Sequence, residues 1–242
     1  NWRYNYTYRN PNDPELGYSA YNIPHRIQAS AYYHINYGAQ KQWQTTVGLI
    51  YQAKSGSPYS IYYYGDVNED GANGNDLFFI PTDAQIDKMQ FEETNFSANA
   101  LTKTVFGDNF TAPKLTADMQ RAMMKHWIGN DSYMKNHRGE FYKRYADNLA
   151  FEHHFDVHFA QKYSFKVGGQ INSLELSFDI INAGNMLNKN WGHTYGDGFG
   201  VYYSPVNYQR NGRYQFTGGY ATRNYSDYYS RWRGQLGLRY TF

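Results

Sequence analysis

Apolar and polar residues alternate along this chain in stretches long enough to be strands, most regularly at its end. In residues 230–242, Trp232, Gly234, Leu236, Leu238, Tyr240 and Phe242 fall on one face and Arg231, Arg233, Gln235, Gly237, Arg239 and Thr241 on the other. That is the period of two that a strand imposes on its side chains. Ile27, Ala29, Ala31, Tyr33, Ile35 and Tyr37 alternate likewise with Arg26, Gln28, Ser30, His34 and Asn36. After a short turn at residues 38–41 the chain returns with Trp43, Thr45, Val47, Leu49, Tyr51 and Ala53 on one face. A second hairpin is predicted from Phe151, Phe155, Val157 and Phe159, a turn at 166–170, and Leu174, Leu176, Phe178 and Ile180. Trp2, Tyr4, Tyr6 and Tyr8 alternate too, which predicts a sixth strand under way from the first residue. A tilted strand crosses a bilayer in about 9 to 11 residues, so stretches of this length can span one.

The connections sort by length. Residues 10–24, 65–149 and 183–229 are long, whereas 38–41 and 166–170 are short. Outer-membrane barrels have short periplasmic turns and long extracellular loops, and a water-soluble sandwich has no reason to sort its loops by end. The pattern predicts an all-β, transmembrane antiparallel β-barrel with extracellular loops at 65–149 and 183–229 and a closing strand at 230–242. In the first loop Thr116 is placed to cap a short helix whose apolar positions Met119, Met123 and Trp127 recur every four residues up to Gly129. The second loop is expected to hold a hairpin. Six strands do not close a barrel: the smallest single-chain ones have eight, and an open edge in lipid costs several kcal/mol per unpaired backbone group. The sequence is therefore read as the last part of a larger barrel, one piece of a longer exported protein. A self-contained small barrel, acting as an adhesin or structural protein, would need eight strands within these residues.

Composition agrees with a barrel. Mean hydropathy is −0.81, as expected where only every second strand residue meets lipid, and no window of about 18 apolar residues supplies a membrane helix. Aromatic residues make up 19% of the chain, 27 of them Tyr, and such rings suit the boundary between lipid and water. There is no Cys, which removes disulfides and thiolate metal sites. A net charge of +2 without a basic run gives no footprint for nucleic acid.

Asp66, Asn68 and Asp70 followed by Gly71 match the first half of a calcium-loop pattern, with oxygen ligands at positions one, three and five and Gly at six. Leu77 stands where that pattern has its last carboxylate, and Asp76, one place earlier, is the substitute. An Asx-rich turn uses the same residues equally well, so Ca²⁺ and a plain turn both stand. His154, Asp156 and His158, with Glu152 beside them, share one strand face at steps of about 6 to 7 Å, too spread for a tetrahedral zinc site, and they read as polar lining. Tyr62, Tyr64, Tyr202 and Tyr203 are candidates for stacking on a ligand, and an aromatic girdle is the competing use. Gly-x-Ser-x-Gly and His-Glu-x-x-His are both missing from the sequence, and the chain is not read as an enzyme.

Four stretches taken together resemble a family. They are Asn22-Ile-Pro-His-Arg26 opening a strand, the run from Gly65 to Pro81, Asn182-Ala-Gly-Asn-Met-Leu-Asn188 followed by Trp191-Gly192, and the ending from Arg231 to Phe242. In this order they resemble Bacteroidota TonB-dependent outer-membrane transporters of the SusC/RagA or Oar-like kind. The resemblance implies a barrel of 22 strands around a plug, of which this chain supplies the last six. It implies location in the bacterial outer membrane and import of oligomeric nutrients, glycan or peptide, with energy relayed by TonB. The implied partners are the upstream barrel and plug, the TonB complex through that upstream part, outer-membrane lipid and a SusD-like surface lipoprotein. Trp232, Leu236, Leu238, Tyr240 and Phe242 would form the outer-membrane insertion signal.

Overall fold

A computed structural model describes residues 5–195, 201–218 and 225–242, apart from the side chains of residues 201 and 202. In chain order the elements are β1 (Arg26–Tyr37), β2 (Trp43–Lys54), β3 (Pro58–Tyr64), α1 (Asp83–Lys88), β4 (Thr94–Asn95), α2 (Ala100–Phe106), β5 (Lys114–Leu115), α3 (Ala117–Asn130), β6 (Asp147–Asn148), β7 (Glu152–Val167), β8 (Gln170–Ile181), α4 (Ala183–Leu187), β9 (Val201–Tyr208), β10 (Tyr214–Phe216), α5 (Asp227–Ser230) and β11 (Arg233–Thr241). They divide between two compact units.

One unit holds a five-stranded antiparallel sheet in the order β1-β2-β7-β8-β11. The two tight turns fall at the predicted places, after Tyr37 and after Val167, and Gly168 and Gly169 supply the positive φ the second one needs. Register carries the alternation across strands. Tyr33 faces Val47, Val47 faces Phe159, Phe159 faces Phe178 and Phe178 faces Leu236. One sheet face is therefore apolar from edge to edge, and the opposite face carries Gln28, His158, Asp179 and Gln235 among others.

Five strands are found here where six were expected. Trp2 and Tyr4 lie outside the described residues, and the residues after them join no strand of this sheet. Thr7 forms a single bridge with Asp76, the Tyr6 ring stands edge-on to Tyr62, and the Tyr8 ring stacks on Phe141 at 4.2 Å. Alternating Tyr residues there serve packing against a loop, a use that period-two spacing does not distinguish from a strand. Among the described residues the sheet does not close, since β1 and β11 each pair on one side only.

The two long connections were expected to be separate loops, but much of both belongs to the second unit, made of residues 1–22, 57–148 and 199–222. Its sheet runs β10-β9-β3-β6, with β3 and β9 parallel. The hairpin expected in the second loop is β9–β10. The helix expected after Thr116 is α3, and the Thr116 hydroxyl accepts from the Met119 amide. Its buried side chains include Met123, Met124 and Ile128, and Trp127 lies between the Phe78 and Phe216 rings at 5.5 and 5.2 Å. Burying each such side chain contributes roughly 1.5–3 kcal/mol, which offsets the entropy of ordering so long a connection. Gln120 is the polar exception in this core. It is fully buried, donates to the Glu92 and Leu115 carbonyls at 2.7 and 3.1 Å, and accepts from the Phe216 amide at 2.8 Å.

Candidate functional site

The sheet's apolar face runs nearly the whole length of its strands. From Ile27 to Tyr37 the strand rises about 33 Å. At the turn end Tyr37, Trp43, Tyr163, Leu174 and Tyr240 lie side by side in register, and Trp43 and Tyr163 pack at 4.4 Å. Toward the other end Tyr51 packs on Phe155 at 4.6 Å. Polar groups on this face are paired: Thr45 donates to Gln161 at 2.7 Å, and the Tyr51 hydroxyl meets the His153 ring at 2.8 Å. Leu236 and Leu238 are each 72% exposed and Phe242 more so. With Tyr240 they stand on the apolar face or at its end, and Trp232 precedes the strand.

The polar face carries ion pairs instead. His158 meets Asp179 at 2.6 Å, and Arg239 lies 3.7 Å from Glu175. The other acidic and His residues of β7 are tied mainly to neighbouring segments, and His154 also lies 3.8 Å from Glu152. Asp156 accepts the Asn182 amide, Glu152 accepts the Tyr195 amide and pairs with Lys54 at 3.4 Å, and His154 reaches the Thr194 hydroxyl. Among the described residues no group of three or more His, Cys, Asp or Glu is arranged to hold a metal ion.

Where β8 ends, the motif beginning at Asn182 makes a clasp. Asn182 turns into the left-handed region at φ 57°, and its side-chain amide donates to the Gly192 and Ser230 carbonyls at 2.8 and 2.7 Å. Gly192 has φ 63°, and a Cβ there would stand 1.9 Å from the Asn182 Oδ1. Thr194 donates its amide to the Ser230 hydroxyl at 3.0 Å. The clasp lays Trp191, His193 and Tyr195 beside Phe151, His153 and Phe155, and together these six line an open, mainly apolar cavity of about 490 Å³. Gly192→Ala is expected to cost this segment about 2 to 4 kcal/mol, from a left-handed backbone and two weakened buried hydrogen bonds. Hydrogen exchange should speed up in residues 183–195 and stay slow in β7 and β8.

The loop that follows β3 is built as its sequence suggests. Glu69 and Gly71 take positive φ. The Asp66 carboxylate accepts the Asp70 and Gly71 amides at 3.0 Å each, and Asp70 accepts the Ala72 amide at 2.8 Å. Asp76 is 2% exposed and accepts the Val67 and Asn68 amides. Burial pushes its carboxyl up to about 6, against those two hydrogen bonds and with the repulsion of Asp70 and Asp66 added. All four residues named from sequence thus lie in one loop.

The tyrosines named as ligand candidates are placed differently. Tyr64 is exposed, Tyr62 lies against Tyr6, and Tyr203 stands edge-on to Tyr59 at 5.7 Å with its phenol pKa raised by burial. The Tyr202 side chain lies outside the described residues. Two of the four are thus engaged in packing. Missed from sequence were β3 as a partner of β9 and the helices α1 and α2. The Thr82/Gln85 capping box, which satisfies the start of α1, is the signal that could have found it. Compared with family models, curated proteins and solved structures, the chain finds no match.

Proposed function

We propose that this chain is a wall segment of an outer-membrane β-barrel and part of a TonB-dependent transporter that imports oligomeric nutrients. The observation that carries the barrel reading is the sheet. It has one apolar face continuous across five strands in register, about 33 Å long, which the usual barrel tilt of about 40° would bring to roughly 25 Å across a membrane, and edged by aromatic rings. Its other face is lined by His158–Asp179 and Arg239–Glu175 pairs, as suits a water-filled interior. A soluble sandwich covers its apolar face with a second sheet. Here Tyr33, Leu49, Phe159 and Leu176 remain exposed.

Transport as the activity rests on the motif resemblance. The hairpin turns would face the periplasm, and the TonB complex, the upstream barrel with its plug, and a SusD-like lipoprotein would be the partners. A small self-contained barrel is less favoured, because among the described residues the sheet has five strands and eight are needed to close one.

The test is growth. Deleting the gene is expected to abolish use of an oligomeric nutrient while sparing its monomer, and inactivating TonB is expected to do the same. Unchanged growth on every glycan and peptide tried, with the protein present in the outer membrane of the parent strain, would overturn transport and leave the barrel standing.

A further inference from the structure

The Asp66–Asp76 loop concentrates negative charge without a positive partner. Among the described residues none of Asp66, Asp70 and Asp76 pairs with a Lys, Arg or His side chain within 4.0 Å. One Asp70 oxygen, Oδ2, is faced only by amide donors, from Asn68 at 3.3 Å and from Asn75 at 3.0 Å. A hydrogen-bonded turn would account for that much.

It does not account for the next two side chains. Asn75 and Asp76 are each 2% exposed, and each buries an oxygen with no hydrogen-bond partner, Asn75 Oδ1 and Asp76 Oδ1. The other end of each group holds it to the loop: Asn75 Nδ2 to Asp70, and Asp76 Oδ2 to the Val67 and Asn68 amides. Asp76 Oδ1 is therefore held at the Val67–Asn68 turn, whereas Asn75 presents its nitrogen to Asp70 and leaves its oxygen orphaned at the other end of the amide. Thr7, itself buried, covers this stretch by bonding the Asn75 carbonyl and the Leu77 amide at 3.0 and 3.1 Å. Leaving a buried charged oxygen unsatisfied costs more than the roughly 1–3 kcal/mol of a neutral one.

We propose that this loop binds one Ca²⁺ through side-chain oxygens of Asp66, Asn68, Asp70, Asn75 and Asp76. As folded, no three of the described His, Cys, Asp and Glu residues are already arranged to hold a metal ion, so Asp66, Asp70 and Asp76 close on the ion as it binds. The ligand number is reached with amide oxygens, as six to eight mixed oxygens suit Ca²⁺. Asn68 already holds its oxygen at the Asp70 amide, at 3.0 Å, with its nitrogen on the Arg9 carbonyl; only Asn75 turns its amide so that oxygen replaces nitrogen beside Asp70, a change of orientation that leaves its shape intact. The all-oxygen set disfavours Zn²⁺, and its mix of loop carboxylates and amides lacks the strict octahedron Mg²⁺ demands. Asp76 completes the set one place earlier than the usual twelfth-position carboxylate. The site stands independently of the transport reading.

Terbium is a direct probe, because nearby Tyr rings sensitise its emission, and the Tyr62 ring comes within 3.4 Å of where a Gly74 Cβ would lie. Full-length protein in detergent, stripped with a chelator, is titrated with Tb³⁺ and then with Ca²⁺ or Mg²⁺. Saturation at one ion per chain is expected, with displacement by Ca²⁺ at concentrations at least tenfold below those of Mg²⁺. Ca²⁺ should also raise the thermal midpoint. Asp70→Ala and Asp76→Asn should each weaken Tb³⁺ binding tenfold or more and abolish the thermal shift. Asp76→Asn keeps an acceptor for the Val67 and Asn68 amides, so circular dichroism should stay unchanged. Folded wild-type protein without saturable emission and without a Ca²⁺-dependent shift would overturn the proposal, as would folded variants that bind as wild type does. If neither variant folds, the wild-type titration decides alone.

Discussion

On the proposed barrel reading, Leu236→Arg is expected to remove this protein from the outer membrane, while Gln235→Arg, one residue away, leaves it there. The two positions have opposite environments although both are exposed. Leu236 faces Phe178 in the middle apolar row, which continues through Phe159 and Val47 to Tyr33. Gln235 faces Asp179 on the polar side, where a new cation gains a neighbouring carboxylate. An Arg on the lipid face at mid-depth costs about 2–4 kcal/mol, and one lining the interior costs little. That cost is a large fraction of the 5–15 kcal/mol that holds an ordinary domain folded. The measurement is the folded fraction in outer-membrane preparations, read by heat-modifiable gel mobility. Equal loss for both variants would show that the sheet has no lipid side.

Gln120→Met is expected to be the most damaging single change in the helical unit. The substitution keeps volume and chain shape and deletes only the amide, yet the amide serves three backbone groups at once: the Glu92 and Leu115 carbonyls and the Phe216 amide. Each group left unpaired in the core costs about 1–3 kcal/mol, so a loss of at least about 3 kcal/mol is expected. These bonds join segments far apart in sequence, and the effect should therefore spread from α3 to β10. Hydrogen exchange at the Phe216 amide reads it directly. Exchange in β7 and β8 should not change, because those strands belong to the other compact unit. A variant with wild-type protection at Phe216 would mean that the Gln120 hydrogen bonds contribute nothing.

The strands of the five-stranded sheet were legible because each is long and alternates, and because tight turns set the β1–β2 and β7–β8 pairings. Helix α3 was legible for a similar local reason, a Thr cap followed by apolar residues at helical spacing. What was not legible is non-local. β3 pairs in parallel with β9 across some 140 residues of sequence, and most of β3 is buried without alternation, so it shows no amphipathic period. Tyr6 and Tyr8 misled in the opposite sense, since their spacing imitates a strand while their rings pack on Tyr62 and Phe141. In the candidate site the residue types of the Asp66–Asp76 loop were readable. The burial of Asp76 and the orphaned oxygen of Asn75 were not, because they depend on Thr7 closing over the loop from the start of the chain.

Single-cysteine labelling along β8 tests the central claim most directly, and these 242 residues contain no cysteine of their own to react. Ser173, Glu175, Ser177 and Asp179 alternate there with Leu174, Leu176, Phe178 and Ile180. With the protein in its native outer membrane, cysteines at the first four positions should react with a small water-soluble maleimide. Those at the second four should be protected from it and react with a lipid-soluble one. Uniform reaction of all eight with the water-soluble reagent would contradict a lipid-facing sheet.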